Sequence, residues 1–154
     1  MNVYLVQHGE ARSKEEDPDR HLTDEGVEHA EKIARFLEPL AIPVGSVWHS
    51  GKTRAEQTAG TLASGLAVSE GVTERDGLGP NDDVGAVADA LSESADDVMI
   101  VGHMPFMGKL ASLLVVGDPS AGVVEFQNAG VVCIGRDEGG GWRIRWIVTP
   151  ALLP

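Results

Sequence analysis

Cysteine is almost missing: Cys133 stands alone among 154 residues. One thiol excludes an intramolecular disulfide framework and any multi-cysteine zinc or iron–sulfur centre, and it argues against redox chemistry. Long apolar runs are missing as well, for no stretch approaches the roughly 20 residues that cross a bilayer. The chain reaches its first apolar segment, Val3 to Val6, with no basic segment ahead of it and no long apolar core of a secretion signal. It therefore reads as a cytoplasmic protein with no membrane partner. Positive charge is scarce: 12 Lys and Arg face 24 Asp and Glu, a formal charge of −12. Nucleic acid and anionic membrane surfaces both demand a positive face, so no nucleic-acid partner is expected and any anion must bind in a local pocket. Runs such as Glu15-Glu16-Asp17 are read as solubility or salt adaptation.

What is present is alternation. There are no repeats, no composition shift and no low-complexity tract longer than Gly139-Gly140-Gly141, so residues 1–154 read as a single domain. Val3 to Val6 is a strand, and Thr23 can cap a helix with Val27, Ala30, Ile33, Ala34 and Leu37 on one face, ending before Pro39. Val44 to Trp48 is a second strand, followed from Ser50 by a helix with Ala55, Ala59, Leu62, Ala63 and Leu66 inward. A helix from about Asp82 to Leu91 leads to the continuous apolar strand Val98 to Val101, and Pro105 opens a helix ending near Val116. Val131 to Gly135 and Trp142 to Ile147 flank a Gly-rich turn and read as an antiparallel pair. The fold class is α/β: a three-layer α/β/α sandwich on a mostly parallel sheet, with the antiparallel pair toward the C-terminus.

His8, the segment Ser50 to Arg54, and His103 each follow a strand. In open α/β sheets ligands bind at the carboxyl ends of the strands, so these distant segments are expected to converge. Imidazole donors, an arginine fork and the amides opening a helix near Ser50 suit a tetrahedral anion, with phosphate the natural candidate. Common phosphoryl-transfer devices fail one by one. No G-x-x-x-x-G-K-[ST] occurs; Cys133 has Gly139 where a cysteine phosphatase wants arginine; Asp17-Pro18-Asp19 follows Ser13-Lys14-Glu15-Glu16 and no apolar strand. His21, His29 and His49 have no metal-ligand spacing, so no metal and no other cofactor is expected. Histidine as nucleophile is what remains.

Four local patterns carry a resemblance to the histidine phosphatase superfamily, and within it to the small phosphohistidine phosphatases of the SixA type, over nearly the whole length. LVQHGEA is similar to L-x-R-H-G-x-A, and Arg20-His21-Leu22-Thr23 with Gly26 to R-x-L-T-x-x-G. SGKTRAEQTA is similar to S-x-x-x-R-A-x-Q-T-A, and VGHMP to the second histidine motif. The resemblance implies His8 as nucleophile, Arg54 as phosphate clamp, His103 as second pocket histidine and Arg20 as a further phosphate contact. One departure stands out: the arginine before the nucleophile is here Gln7, a neutral amide donor in the phosphate site. A lost charge-assisted contact to a buried anion is worth about 1.5–3 kcal/mol.

Histidine attack would give a phosphohistidine intermediate that water hydrolyses. Glu10, Asp82 and Asp83 are equal candidates for a general acid. A phosphoramidate such as phosphohistidine needs less acid help, and no insertion is large enough to form a lid, so a phosphorylated protein of the histidine-containing phosphotransfer type is the expected partner. Two alternatives remain open: a small phosphorylated metabolite as substrate, or a weakened module that binds phosphate or phosphohistidine as an adaptor. His21, His29 and His49 are read as packing or capping residues, and Trp142 and Trp146, alternating with Arg143 and Arg145, as a half-exposed strand.

Overall fold

The computed structural model describes all residues, Met1–Pro154. Strands β1 (Asn2–Gln7), β2 (Pro43–His49), β3 (Ala67–Glu74), β4 (Val98–Gly102), β5 (Val131–Arg136) and β6 (Trp142–Val148) form one sheet in the order β3-β2-β4-β1-β5-β6. The pairs β3/β2, β2/β4 and β4/β1 are parallel; β1/β5 and β5/β6 are antiparallel. Helices α1 (Asp24–Leu37), α2 (Thr53–Ala63), α3 (Val84–Glu93) and α4 (Phe106–Val116) cover its two faces.

Pleating explains why β1 and β4 read as unbroken apolar runs. Val3 and Leu5 join Val98 and Ile100 against Leu91 of α3 and Phe106 and Leu110 of α4. Tyr4 and Val6 join Met99 and Val101 on the other side, against Ile33 and Leu37 of α1 and Ala55, Ala59 and Leu62 of α2. Each fully buried Leu, Ile or Phe in these two layers contributes about 1.5–3 kcal/mol.

Local chemistry starts and stops the helices. The Thr23 hydroxyl accepts from Gly26 N–H at 3.0 Å and Asp83 accepts from Gly85 N–H at 3.0 Å, which satisfies one orphan donor of α1 and of α3. Helix α2 begins at Thr53, three residues after Ser50, because Ser50-Gly51-Lys52 forms a turn with Gly51 at φ +88°. It ends at Ala63, so Leu66 lies beyond it. Strand β3 has no counterpart among the elements read from the sequence. Its AVSEGVTE is almost wholly exposed at the sheet edge, where no hydrophobic pattern is imposed. No helix is long and apolar enough to cross a membrane.

Candidate active site

The register of the two central strands places the two histidines side by side. Gln7 of β1 pairs with Gly102 of β4, and His8 N–H extends the ladder to the Gly102 carbonyl at 2.9 Å. The next residues, His8 and His103, therefore emerge from neighbouring strands, with ring centroids 5.1 Å apart at 55°. Strand β2 flanks β4 on the other side and delivers Ser50, whose Oγ lies 2.6 Å from His103 Nε2. Helix α2 then brings Arg54, whose Nε donates to His8 Nε2 at 3.3 Å.

That last contact fixes the state of His8. Its Nδ1 lies 2.7 Å from the Gly9 carbonyl, which can only accept, so Nδ1 carries a proton. Arg54 Nε–H can only donate, so Nε2 presents its lone pair toward the guanidinium. Burial lowers the His8 pKa below its ordinary 6.5, with Arg54 and Arg20 adding to the shift against the opposing Gly9 bond. His103 is 2 % exposed. Its pKa falls from 6.5 to about 3, chiefly through burial and then through His8, Arg54, Lys52 and Arg20. Both rings are neutral at pH 7.

The surroundings are rich in unspent donors and positive charge. Arg54 occupies the first turn of α2, where the helix dipole disfavours a cation. It makes no ion pair with Glu31 or Glu56, and burial and Arg20 lower its pKa. The N–H groups of Thr53 and Arg54 have no acceptor, Lys52 supplies no side-chain cap, and buried His103 Nδ1 has no partner. Arg20 sits at φ +52° with its Nε tied to the Arg12 carbonyl at 2.9 Å, and its charge is felt by His8, Arg54 and His103. Such a concentration of donors fits an oxyanion.

Of the residues singled out in the sequence, His8, Arg54 and His103 come together, Arg20 joins them electrostatically, and Gln7 ends β1 half-buried beside them. None of the three carboxylates hydrogen-bonds to these side chains. Asp83 caps α3, Asp82 accepts Gly79 N–H at 2.7 Å, and Glu10 accepts the Thr23 hydroxyl at 3.3 Å. The other histidines serve local structure. His49 accepts from Gly51 N–H, His21 pairs with Asp17 at 2.7 Å in an exposed turn that also holds Asp19, and His29 faces Glu25 at 3.7 Å.

Several supports have no role assigned from the sequence, although Gln57 and Thr58 lie within the SGKTRAEQTA stretch. Thr58 Oγ1 accepts Gly9 N–H at 2.9 Å, Gln57 accepts Leu22 N–H at 2.8 Å, and Asn128 donates to the His8 carbonyl at 2.8 Å. Thr58 did leave a signal, because it is a hydroxyl on the buried stripe Ala55, Ala59, Leu62. Gly26 is also fixed: a β-carbon there would overlap the Glu10 carbonyl, so glycine lets α1 approach the loop after His8.

Comparison with known proteins agrees with this geometry. Phosphohistidine phosphatase SixA of Escherichia coli (strain K12) is 27% identical over 158 residues, covering 99% of this chain and 96% of the relative. An uncharacterized protein of Picosynechococcus sp. is 31% identical over 86% of this chain and 83% of its own. The protein histidine phosphatase SixA complexed with tungstate superposes with a TM-score of 0.86 at 26% identity, each chain covered to 99%. The model of the histidine phosphatase superfamily (branch 1) matches residues 3–79, the half that carries His8, Arg20 and Arg54. With one histidine motif closing β1 and a second closing β4 on the same sheet edge, the chain belongs to the histidine phosphatase superfamily, branch 1.

Proposed function

We propose that residues 1–154 act as a single catalytic domain that removes the phosphoryl group from phosphohistidine on a protein, with His8 as the nucleophile. The observation that carries this reading is the His8 ring itself. It is neutral, its proton is on Nδ1, and its Nε2 lone pair faces the Arg54 guanidinium at 3.3 Å.

A phosphoryl group held by Arg54, Arg20, His103 and the Thr53 and Arg54 amides would lie in front of Nε2. Attack forms an Nε2–P bond and breaks the bond between phosphorus and the substrate's imidazole nitrogen, whose electron pair takes up a proton. Water then attacks phosphorus, the Nε2–P bond breaks, and orthophosphate leaves with His8 neutral again. The fixed donors stabilise charge growing on the transferring oxygens. Imidazole is a good leaving group once protonated, which suits a site where none of Glu10, Asp82 and Asp83 hydrogen-bonds to His8, Arg54 or His103. The likeness to SixA, named as a phosphohistidine phosphatase, supports the same substrate class.

The test is His8→Ala, assayed with a phosphorylated phosphotransfer domain and with a panel of phosphomonoesters. Turnover and the acid-labile phosphoenzyme should both vanish while the thermal midpoint stays within a few degrees. Near-normal turnover by the variant overturns the nucleophile. Wild-type turnover confined to small phosphomonoesters overturns the substrate, and failure of the wild type to form a phosphoenzyme makes the protein a binding module.

A further inference from the structure

The hydrogen bonds around His8 close on themselves. His8 Nδ1–H donates to the Gly9 carbonyl at 2.7 Å, and Gly9 N–H donates to Thr58 Oγ1 at 2.9 Å. Thr58 Oγ1–H donates to the Arg54 carbonyl at 2.8 Å, and Arg54 Nε–H donates to His8 Nε2 at 3.3 Å. Four residues thus form a ring in which each donates once and accepts once.

The direction of this ring leaves no choice. Both carbonyls can only accept, and the Gly9 amide and the Arg54 Nε–H can only donate. The two groups with freedom, the Thr58 hydroxyl and the His8 imidazole, are therefore forced into single roles. Bonds arranged in one direction polarise one another, and in a buried setting the loss of one member leaves its neighbour unsatisfied. Thr58 is 0% exposed on the inner face of α2, so no water can replace its hydroxyl without a rearrangement.

We infer that Thr58 is a positioning residue that, by anchoring the Gly9 amide to α2 and so limiting where the neighbouring Gly9 carbonyl can turn, keeps the His8 proton on Nδ1 and the lone pair on Nε2. The inference deepens the proposed reaction and rests on it only for its effect on rate; the tautomer itself is a property of the resting protein. The hydroxyl does two jobs at once. It anchors the Gly9 amide, one Cα away from the carbonyl that accepts from Nδ1, and it ties that amide to the backbone of the residue whose guanidinium faces Nε2. A free imidazole in water favours the proton on Nε2, the arrangement that would hide the attacking atom. Which nitrogen carries the proton is set by the partner of the other nitrogen.

The experiment compares Thr58→Val, which keeps the shape and loses the hydroxyl, with Thr58→Ser, which keeps it. Nitrogen-15 spectra of histidine-labelled protein at pH 8 report the His8 tautomer directly, with or without turnover. Wild type and Thr58→Ser should show Nδ1–H alone; Thr58→Val should show a mixture with Nε2–H. Turnover by Thr58→Val should fall about tenfold to hundredfold, as expected for a misplaced reacting atom, with kcat affected more than KM and Thr58→Ser restoring most of it. If Thr58→Val does not fold, Thr58→Cys and Thr58→Ala replace it in the same spectra. A folded hydroxyl-free variant that retains pure Nδ1–H overturns the inference, even if its turnover is low. A tautomer shift with no phosphatase activity in the wild type upholds the inference and removes the reaction proposed above.

Discussion

Two half-buried arginines sit at opposite kinds of helix end. Arg136 reaches the C-terminus of α3, where its guanidinium donates to the carbonyls of Leu91 at 3.1 Å, Ser92 at 2.5 Å and Ser94 at 2.6 Å. There the helix dipole welcomes a cation and the orphan carbonyls need donors, so three of its N–H groups find acceptors within the protein. Arg54 sits in the first turn of α2, against the dipole, with no carboxylate and no carbonyl for its guanidinium and only His8 Nε2 in contact. One arginine has its acceptors in the folded chain, and the other is left facing a neutral ring with no anionic partner. Residue type and burial are the same; what separates structure from function is whether the folded chain already satisfies the group.

Substituting both tests the contrast, and Arg54→Ala should give the largest effect. Losing a donor aimed at developing charge costs about a hundredfold to a thousandfold in kcat. Its thermal midpoint in phosphate-free buffer should hold or rise slightly, because removing a cation from a helix N-terminus relieves about 0.3–1 kcal/mol. Arg136→Ala should do the reverse. Turnover should stay within about twofold while stability falls by about 1.5–3 kcal/mol from lost charged hydrogen bonds. At about 2–4 °C per kcal/mol this is a visible drop in midpoint. If Arg54→Ala is the less stable variant and Arg136→Ala the less active one, the contrast is inverted.

Acidification gives the next effect. His8 and His103 both have folded pKa values below the ordinary 6.5, that of His103 near 3. Below pH 6.5 the unfolded chain binds protons that the folded chain refuses. The stability tied to these rings is complete above 6.5 and is lost as pH falls from there toward the folded values. The slope approaches about 1.4 kcal/mol per pH unit for each ring while it stays neutral in the folded state. A denaturation series from pH 7.5 to 4.5 should show this, and saturating phosphate should flatten it, because an anion stabilises imidazolium. Arg54→Ala should also flatten it, since Arg54 helps to lower both values, whereas Arg136→Ala should run parallel to wild type. The acid limb of activity should be centred below pH 6.5, and a limb centred at or above 6.5 would contradict a depressed His8.

The same contrast marks what was legible in the sequence. Strands β1 and β4 are covered on both faces and must be apolar throughout, so they stand out; β3 lies exposed at an edge, and nothing in AVSEGVTE marks it. The residues that the proposed reaction uses, His8, Arg54 and His103, are tied to strand ends and recognisable motifs. Glu10, Asp82 and Asp83 are alike by type, and the bonds each makes, to the Thr23 hydroxyl and to the Gly79 and Gly85 amides, depend on folded geometry that the sequence pattern does not carry. Asn128 serves by a hydrogen bond to backbone 120 residues away, a relation that no local pattern encodes, whereas Thr58 stands out as a hydroxyl on a buried stripe although its partner, 49 residues away, does not.

Gln7 sharpens the comparison most finely, because it stands where the L-x-R-H-G-x-A pattern that the chain resembles has an arginine and this chain has a neutral amide. Gln7→Arg would add a second guanidinium of the Arg54 kind, wanting an anion and lacking a protein partner. Without phosphate it adds charge beside Arg54, Arg20 and two neutral histidines, and the larger group presses on a half-buried position at the end of β1. The expected cost is about 1–3 kcal/mol if the site has closed around the amide. With phosphate bound, the new charge gains a partner, so saturating phosphate should raise the midpoint of Gln7→Arg by more than that of wild type. Turnover should rise by up to about tenfold, through a contact that strengthens as charge builds on the phosphoryl oxygens. Equal phosphate-induced shifts and equal turnover in the two proteins would mean that position 7 lies outside the anion's reach, and Arg54 would then stand alone as the guanidinium at the head of α2.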